Sequence, residues 1–159
     1  MNGIVVAIAA AIATMNMAAS RDEPVYLPDA ADSRVVTVTK GSTADAGVTV
    51  LTQAVAVKET GPPETVARFG ELYTFAPSFI AVHRDEPTLI AFQNLQPDDD
   101  HDFMLADPRG HVLMKTTLPA LRETSFVFTF HEEGLYAFYC TMHQPGMSGQ
   151  ILVLAPAGK

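Results

Sequence analysis

Apolar residues along this chain recur in short runs with a spacing of two, broken at close intervals by Gly, Pro, Asn and Asp. "RVVTVT" (34–39) and "VTVLTQAVAV" (48–57) are rich in β-branched residues and are separated by the turn-forming "KGSTADAG", the pattern of a β-hairpin. "ETGPPE" (59–64) interrupts it. Beyond lie "TVARFGELYTF", "SFIAVHRDEPTLIAFQNL", "FMLAD", "HVLMKTTL", "ETSFVFTF", "GLYAFYC" and "GQILVLA", each short and bounded by turn residues. None has a convincing helical period. The pattern predicts an all-β fold of about seven to nine strands, an antiparallel sandwich or barrel.

The same spacing puts Tyr136, Phe138 and Cys140 on one face of the penultimate strand and Leu135, Ala137 and Tyr139 on the other. If the first set faces inward, Cys140 ends a buried strand among aromatic rings. Such surroundings disfavour a bare thiolate, and a metal ion would supply the missing charge.

At 159 residues the chain has room for one domain with a substantial core. "MNGIVVAIAAAIATMNMAAS" (1–20) has no charged side chain, runs apolar from Ile4 to Ala13 and ends in Ala18, Ala19 and Ser20. It reads as a signal peptide cleaved near Ser20, although no Lys or Arg precedes the apolar run. A membrane span needs roughly 20 predominantly apolar residues, and this Ala-rich segment falls short. Export to the periplasm is therefore expected, with residues 21–64 as an N-terminal extension carrying the hairpin, which would add strands to the sandwich edge or cover the partner-docking face, and residues 65–159 as the main domain. A formal charge of −8 argues against nucleic acid as partner and favours docking on a basic face of another protein.

Composition sharpens the picture at one point, because the chain has a single cysteine. In an oxidising compartment that leaves an intermolecular disulfide, a reactive thiol or a metal ligand. Cys140 is followed by His143 and Met147, with Pro145 and Gly146 turning the chain between them. A loop this short can aim a thiolate, an imidazole and a thioether at one point. Two His, one Cys and a weak axial Met describe an electron-transfer copper site. The second histidine has to come from elsewhere, and His101, after "FQNLQPDDD" and before the strand "DFMLA", is the best placed. Met142 is a less suitable sulfur than Met147 because it immediately precedes His143; Gln144, a backbone carbonyl or no axial ligand are the alternatives. His83, His111 and His131 stand beside Arg84, Gly110 and Glu132 and are expected at the surface.

"FIAVHRDEPTLIAFQNLQPDDDHDF" and "GLYAFYCTMHQPGMSGQILV" together resemble the cupredoxins, the small blue copper proteins, over roughly residues 65–155. The likeness lies in the Asn94 loop leading to His101, the Gly134-Leu135-Tyr136 approach to Cys140, the compact ligand loop and the closing strand at Gly149-Gln150-Ile151. It implies a Greek-key β-sandwich with one mononuclear type 1 copper ion near one end. Plastocyanin-like loops read C-x-x-H-x-x-x-x-M and amicyanin-like loops C-x-x-H-x-x-M; this one is intermediate, so Cys140 and His143 carry over more firmly than Met147. The upstream segment is also similar to the copper domain of cytochrome oxidase subunit II and nitrous oxide reductase. The binuclear centre of that domain needs C-x-x-x-C, and Gln144 stands where the second cysteine belongs. Asp102 occupies a position where many blue copper proteins have Asn, and Asp98, Asp99 and Asp100 precede it. Negative charge beside the metal would lower its potential if poorly screened; the competing reading is a solvated acidic loop.

The expectation is a periplasmic carrier of single electrons, with His101, Cys140, His143 and Met147 as copper ligands. Its partner would be a redox protein such as a cytochrome or a copper or haem reductase or oxidase. The chain would be monomeric and not inserted in the membrane. Copper delivery or tolerance, or a red-copper variant with a carboxylate or water ligand, are the alternatives. No glycine-rich phosphate loop, zinc-protease helix or nucleophile elbow is present, so no enzyme activity is expected.

Overall fold

A computed structural model of the chain describes residues 26–156 and residue 158. The expected signal peptide (1–20) and the start of the extension lie outside the described residues. The alternation seen in the sequence becomes ten strands: β1 (Val36–Lys40), β2 (Ala46–Ala56), β3 (Leu72–Ala76), β4 (Phe79–His83), β5 (Thr88–Asn94), β6 (His101–Ala106), β7 (Val112–Leu118), β8 (Glu123–Phe130), β9 (Gly134–Tyr139) and β10 (Ser148–Leu154). They form two five-stranded sheets, β1-β8-β5-β2-β3 and β4-β10-β9-β6-β7. The all-β sandwich is as predicted. It gains a strand because "SFIAVHRDEPTLIAFQNL" turns at Asp85 (φ 62°) and sends β4 and β5 into different sheets. Each sheet is mixed, since β2 runs parallel to β5 and β4 parallel to β10.

The expected hairpin does not form. Both of its strands exist, but β1 pairs with β8, with Val38 opposite Phe128, while β2 lies between β5 and β3. Beside β8, Val36 and Val38 join a face that already carries the buried rings of Phe126, Phe128 and Phe130. That arrangement removes more apolar surface from water than pairing with the Thr- and Gln-bearing β2 would. Residues 36–56 therefore supply two strands of the first sheet, β1 at its edge and β2 inside it.

"TVARFGELYTF" also departs from its expected reading as a single extended segment. Pro63 opens a short helix, α1 (Pro63–Phe69), and Gly70 ends it with φ 77°. Proline fits the first helical turn, and glycine accepts the positive φ that stops the helix. Glu64 in the first turn and Arg68 in the last complement the helix dipole. The remainder becomes β3.

The core is a stack of rings contributed by both sheets. Phe75 lies 5.3 Å from Phe138, and Phe92 lies 4.5 Å from Phe103, measured between centroids. Tyr136, Phe138 and Cys140 are all buried, as alternation along β9 requires, while Leu135 is exposed.

At one pole the strand ends are knotted by Asn94, whose side chain uses both of its polar atoms. Its Oδ1 accepts from Thr52 Oγ1 (2.6 Å) and from the Gln96 N–H (3.0 Å). Its Nδ2 donates to the Asp99 (2.8 Å) and Leu118 (2.9 Å) carbonyls. The interior of β2, the ends of β5 and β7 and the loop before β6 thus meet on one buried amide. Asn94→Ala should destabilise the protein by about 3 kcal/mol, because it leaves several buried groups without partners. Thr52→Val, which removes a smaller part of the knot, should cost roughly half as much. Urea unfolding measures both; a loss below about 1 kcal/mol for Asn94→Ala would contradict this account.

Candidate metal centre

His101 opens β6 beside that knot, paired with Leu118 at the end of β7. Cys140 follows β9 directly, His143 lies in the turn after it, and Met147 immediately precedes β10. Two backbone bonds close the turn: the Met147 N–H donates to the His143 carbonyl, and the Cys140 N–H donates to the Met147 carbonyl, each at 3.0 Å. Gln144 braces it from outside, its Nε2 donating to the carbonyls of Cys140 (2.7 Å) and Met147 (3.2 Å). The residue that stands in for a second cysteine is thus a strut of the loop.

Three of the four expected ligands present donor atoms to one point. His101 Nδ1 and His143 Nδ1 are 3.1 Å apart, Cys140 Sγ is 3.6 Å from His143 Nδ1, and all the donor atoms lie within 4.8 Å of one another. Atoms bound to one ion at about 2.0 Å for nitrogen and about 2.3 Å for sulfur stand roughly 3 to 4 Å from each other, so the spacing fits a shared cation. His101 and Cys140 are fully buried and His143 is half-buried. Met147 is also buried, within the hydrophobic core cluster that contains Cys140.

The electrostatics suit the same reading. Burial, and then the neighbouring His143, hold the His101 pKa down to about 4, so its imidazole is neutral and has a lone pair to give at neutral pH. Burial pushes the Cys140 thiol up, which keeps it protonated until a cation compensates the thiolate. His101 Nε2 is buried without a hydrogen-bond partner.

Of the neighbours of the site, Tyr73, Thr141 and Lys115 carried no signal in the sequence beyond their alternation. Tyr73, inward-facing on β3 with Phe75, packs its ring 4.9 Å from His101 and 4.5 Å from His143, and its hydroxyl donates to Asp99. Asp102, next to His101 on β6, is buried. Its own N–H points to Cys140 Sγ at 3.5 Å, and its carboxylate accepts from the Thr141 N–H (2.6 Å) and the Thr141 hydroxyl. Lys115 Nζ stands 3.1 Å from the same carboxylate. Burial raises the Asp102 pKa, but the Thr141 hydroxyl and N–H, with Lys115, outweigh it and leave the group ionised. The acidic loop is tied down in part, since Asp99 holds Tyr73 and Asp100 accepts the Ala120 N–H at 2.8 Å. The remaining histidines face other partners. His83 meets the Ala155 carbonyl, His111 meets Asp32, and His131 meets both Thr37 and Asp85. His111 is exposed; His83 and His131 are half-buried, less open than expected.

No family model and no curated protein sequence matches the chain. Solved structures do. Auracyanin B aligns at 15% identity with a TM-score of 0.51, over 76% of this chain and 99% of that one. A multicopper oxidase aligns at 15% identity with a TM-score of 0.54, over 71% of this chain and 45% of that one. The chain has the cupredoxin fold.

The depressed pKa of His101 gives the metal-free protein a defined response to acid. Between pH 6.5, the ordinary histidine value, and about 4, the unfolded chain binds a proton at His101 that the folded chain refuses. Stability should therefore fall as pH drops through this window, by on the order of 3 kcal/mol from this group. Urea unfolding of the metal-free protein across these pH values, compared with His101→Asn, measures it. The variant should show a slope shallower by about one proton; identical slopes would contradict the assignment.

Proposed function

We propose that this chain is a periplasmic mononuclear type 1 copper protein that carries single electrons between redox partners, with His101, Cys140, His143 and Met147 as its ligands. The observation that carries the reading is the convergence of two imidazole nitrogens and one sulfur at 3.1 and 3.6 Å, buried at one pole of a cupredoxin fold. Sulfur and imidazole donors together suit copper, and a buried thioether on the same loop adds a weak fourth donor. Bound there, copper would supply a one-electron couple.

The rest is the work of the chain. The backbone bonds across the 140–147 turn and the Gln144 strut hold three ligands on one short rigid loop, while the Asn94 knot and the β6–β7 pairing fix His101. Donors that cannot relax far between oxidation states keep reorganisation small. The half-buried edge of His143 is the nearest approach for a partner, and Cys140 links the centre inward to β9. The net charge of −8 favours a partner with a basic face, such as a cytochrome or a copper or haem reductase or oxidase. Export rests on residues 1–20 as a cleaved signal peptide. No helix among the described residues is long and apolar enough to cross a membrane.

A carboxylate-ligated red-copper centre is disfavoured because the Asp102, Asp99 and Asp100 carboxylates are engaged by Thr141 and Lys115, by Tyr73 and by the Ala120 N–H. Delivery of copper calls for ligands that open, and the braced loop counts against it. The test is to load the mature chain with one equivalent of Cu(II) and record visible and electron paramagnetic resonance spectra beside Cys140→Ser. The expected result is an intense thiolate-to-copper band with narrow copper hyperfine splitting, both lost in the variant. A pale spectrum with wide splitting, unchanged by the substitution, would overturn the proposal.

A further inference from the structure

The Asp102 carboxylate sits one residue from His101, and the backbone N–H of the same residue points at Cys140 Sγ. Only 5% of its side chain is exposed. An ionised carboxylate in that place, left alone, would act on any metal held by the two ligands and favour the higher oxidation state. Lys115 meets it from β7. In the β6–β7 ladder Asp102 is opposite Thr117 and Met104 is opposite Lys115, so Lys115 is the diagonal neighbour of Asp102 on the same outer face. The backbone of Lys115 is itself fixed. Tyr26, in the segment preceding β1, exchanges two hydrogen bonds with it, Tyr26 N–H to the Lys115 carbonyl and Lys115 N–H to the Tyr26 carbonyl, each at 2.9 Å. This bridge covers the free edge of β7 at the one residue whose ammonium reaches Asp102.

We propose that Lys115 is a positioning residue of the metal centre: its ammonium cancels the charge of the Asp102 carboxylate, so that the carboxylate can clasp Thr141 beside Cys140 without biasing the copper toward its oxidised form. The inference rests on the copper reading above. An exposed ion pair contributes little on its own, but this one has a buried acidic member, and removing the lysine strands that charge. The N-terminal segment gains a role, because Tyr26 pairs with the backbone of Lys115 on the open edge of β7.

The experiment is a double-mutant cycle on the full mature chain with Lys115→Met, Asp102→Asn and the two together, read by reduction potential of the copper-loaded protein and by urea stability of the metal-free protein. Lys115→Met should lower the potential, shifting the Cu(I)/Cu(II) equilibrium against a fixed reference couple roughly tenfold toward Cu(II). Asp102→Asn should raise it. The double variant should return close to the wild-type value. In the metal-free protein, Lys115→Met should destabilise more when Asp102 is present than in the Asp102→Asn background. A potential unmoved by Lys115→Met, or a double variant no different from Asp102→Asn alone, overturns the proposal. A wild-type chain that takes up no copper through Cys140 ends the copper reading and this inference with it, and that failure is distinguished because it appears before any variant of the pair is compared.

Discussion

Thr141 gives two hydrogen bonds to Asp102, one from its N–H at 2.6 Å and one from its hydroxyl, and these tie the start of β6 to the turn after β9. The residues joined are 39 positions apart in sequence, and each is the immediate neighbour of a donor, His101 on one side and Cys140 on the other. The Asp102 N–H reaches back to the Cys140 sulfur and completes the joint. Because the donors stand within 4.8 Å of each other only if these two segments stay in register, the clasp is what the candidate centre depends on. The other braces extend it. Asn94 fixes the loop leading into His101, Gln144 fixes the turn leading out of Cys140, and Tyr73 packs against both imidazoles from the opposite sheet.

A clasp made from a carboxylate has an electrostatic consequence that one made from an amide would not. Buried negative charge is costly unless hydrogen bonds and an opposite charge satisfy it. Thr141 provides the first and Lys115 the second. Lys115 in turn lies on an edge strand whose backbone Tyr26 completes. A line of dependence therefore runs from the segment before β1 to the sulfur of Cys140, through three elements distant in sequence.

Much of the centre is legible in the sequence because its chemistry is local. The spacing of Cys140, His143 and Met147 fixes a short loop, and the alternation of Tyr136, Phe138 and Cys140 predicts burial of the thiol, which is what the structure has. His101 needed the added idea that two turns share one pole. What the sequence hides is pairing. Alternation in β1 and β2 reveals which faces are apolar but not which strand lies alongside, and the choice of β8 over a hairpin is made by rings some 90 residues away. Tyr73 could be seen as an inward residue but not as a neighbour of two imidazoles. The charge of Asp102 pointed toward a perturbed metal or a solvated loop, and Lys115, diagonal to it across a ladder, was invisible as its counterpart. Gln144 read as a missing cysteine, while in the fold it is a brace. The helix over 63–69 was signalled by its flanking Pro63 and Gly70 and masked by its short length.

On the proposed reading, His101, Cys140 and His143 form one donor set around copper. X-ray absorption at the copper edge of the loaded protein tests it most directly. Two imidazole nitrogens and one short thiolate sulfur are expected in the first shell, with that short sulfur contribution absent from a chain lacking Cys140. A first shell made only of nitrogen and oxygen would contradict it.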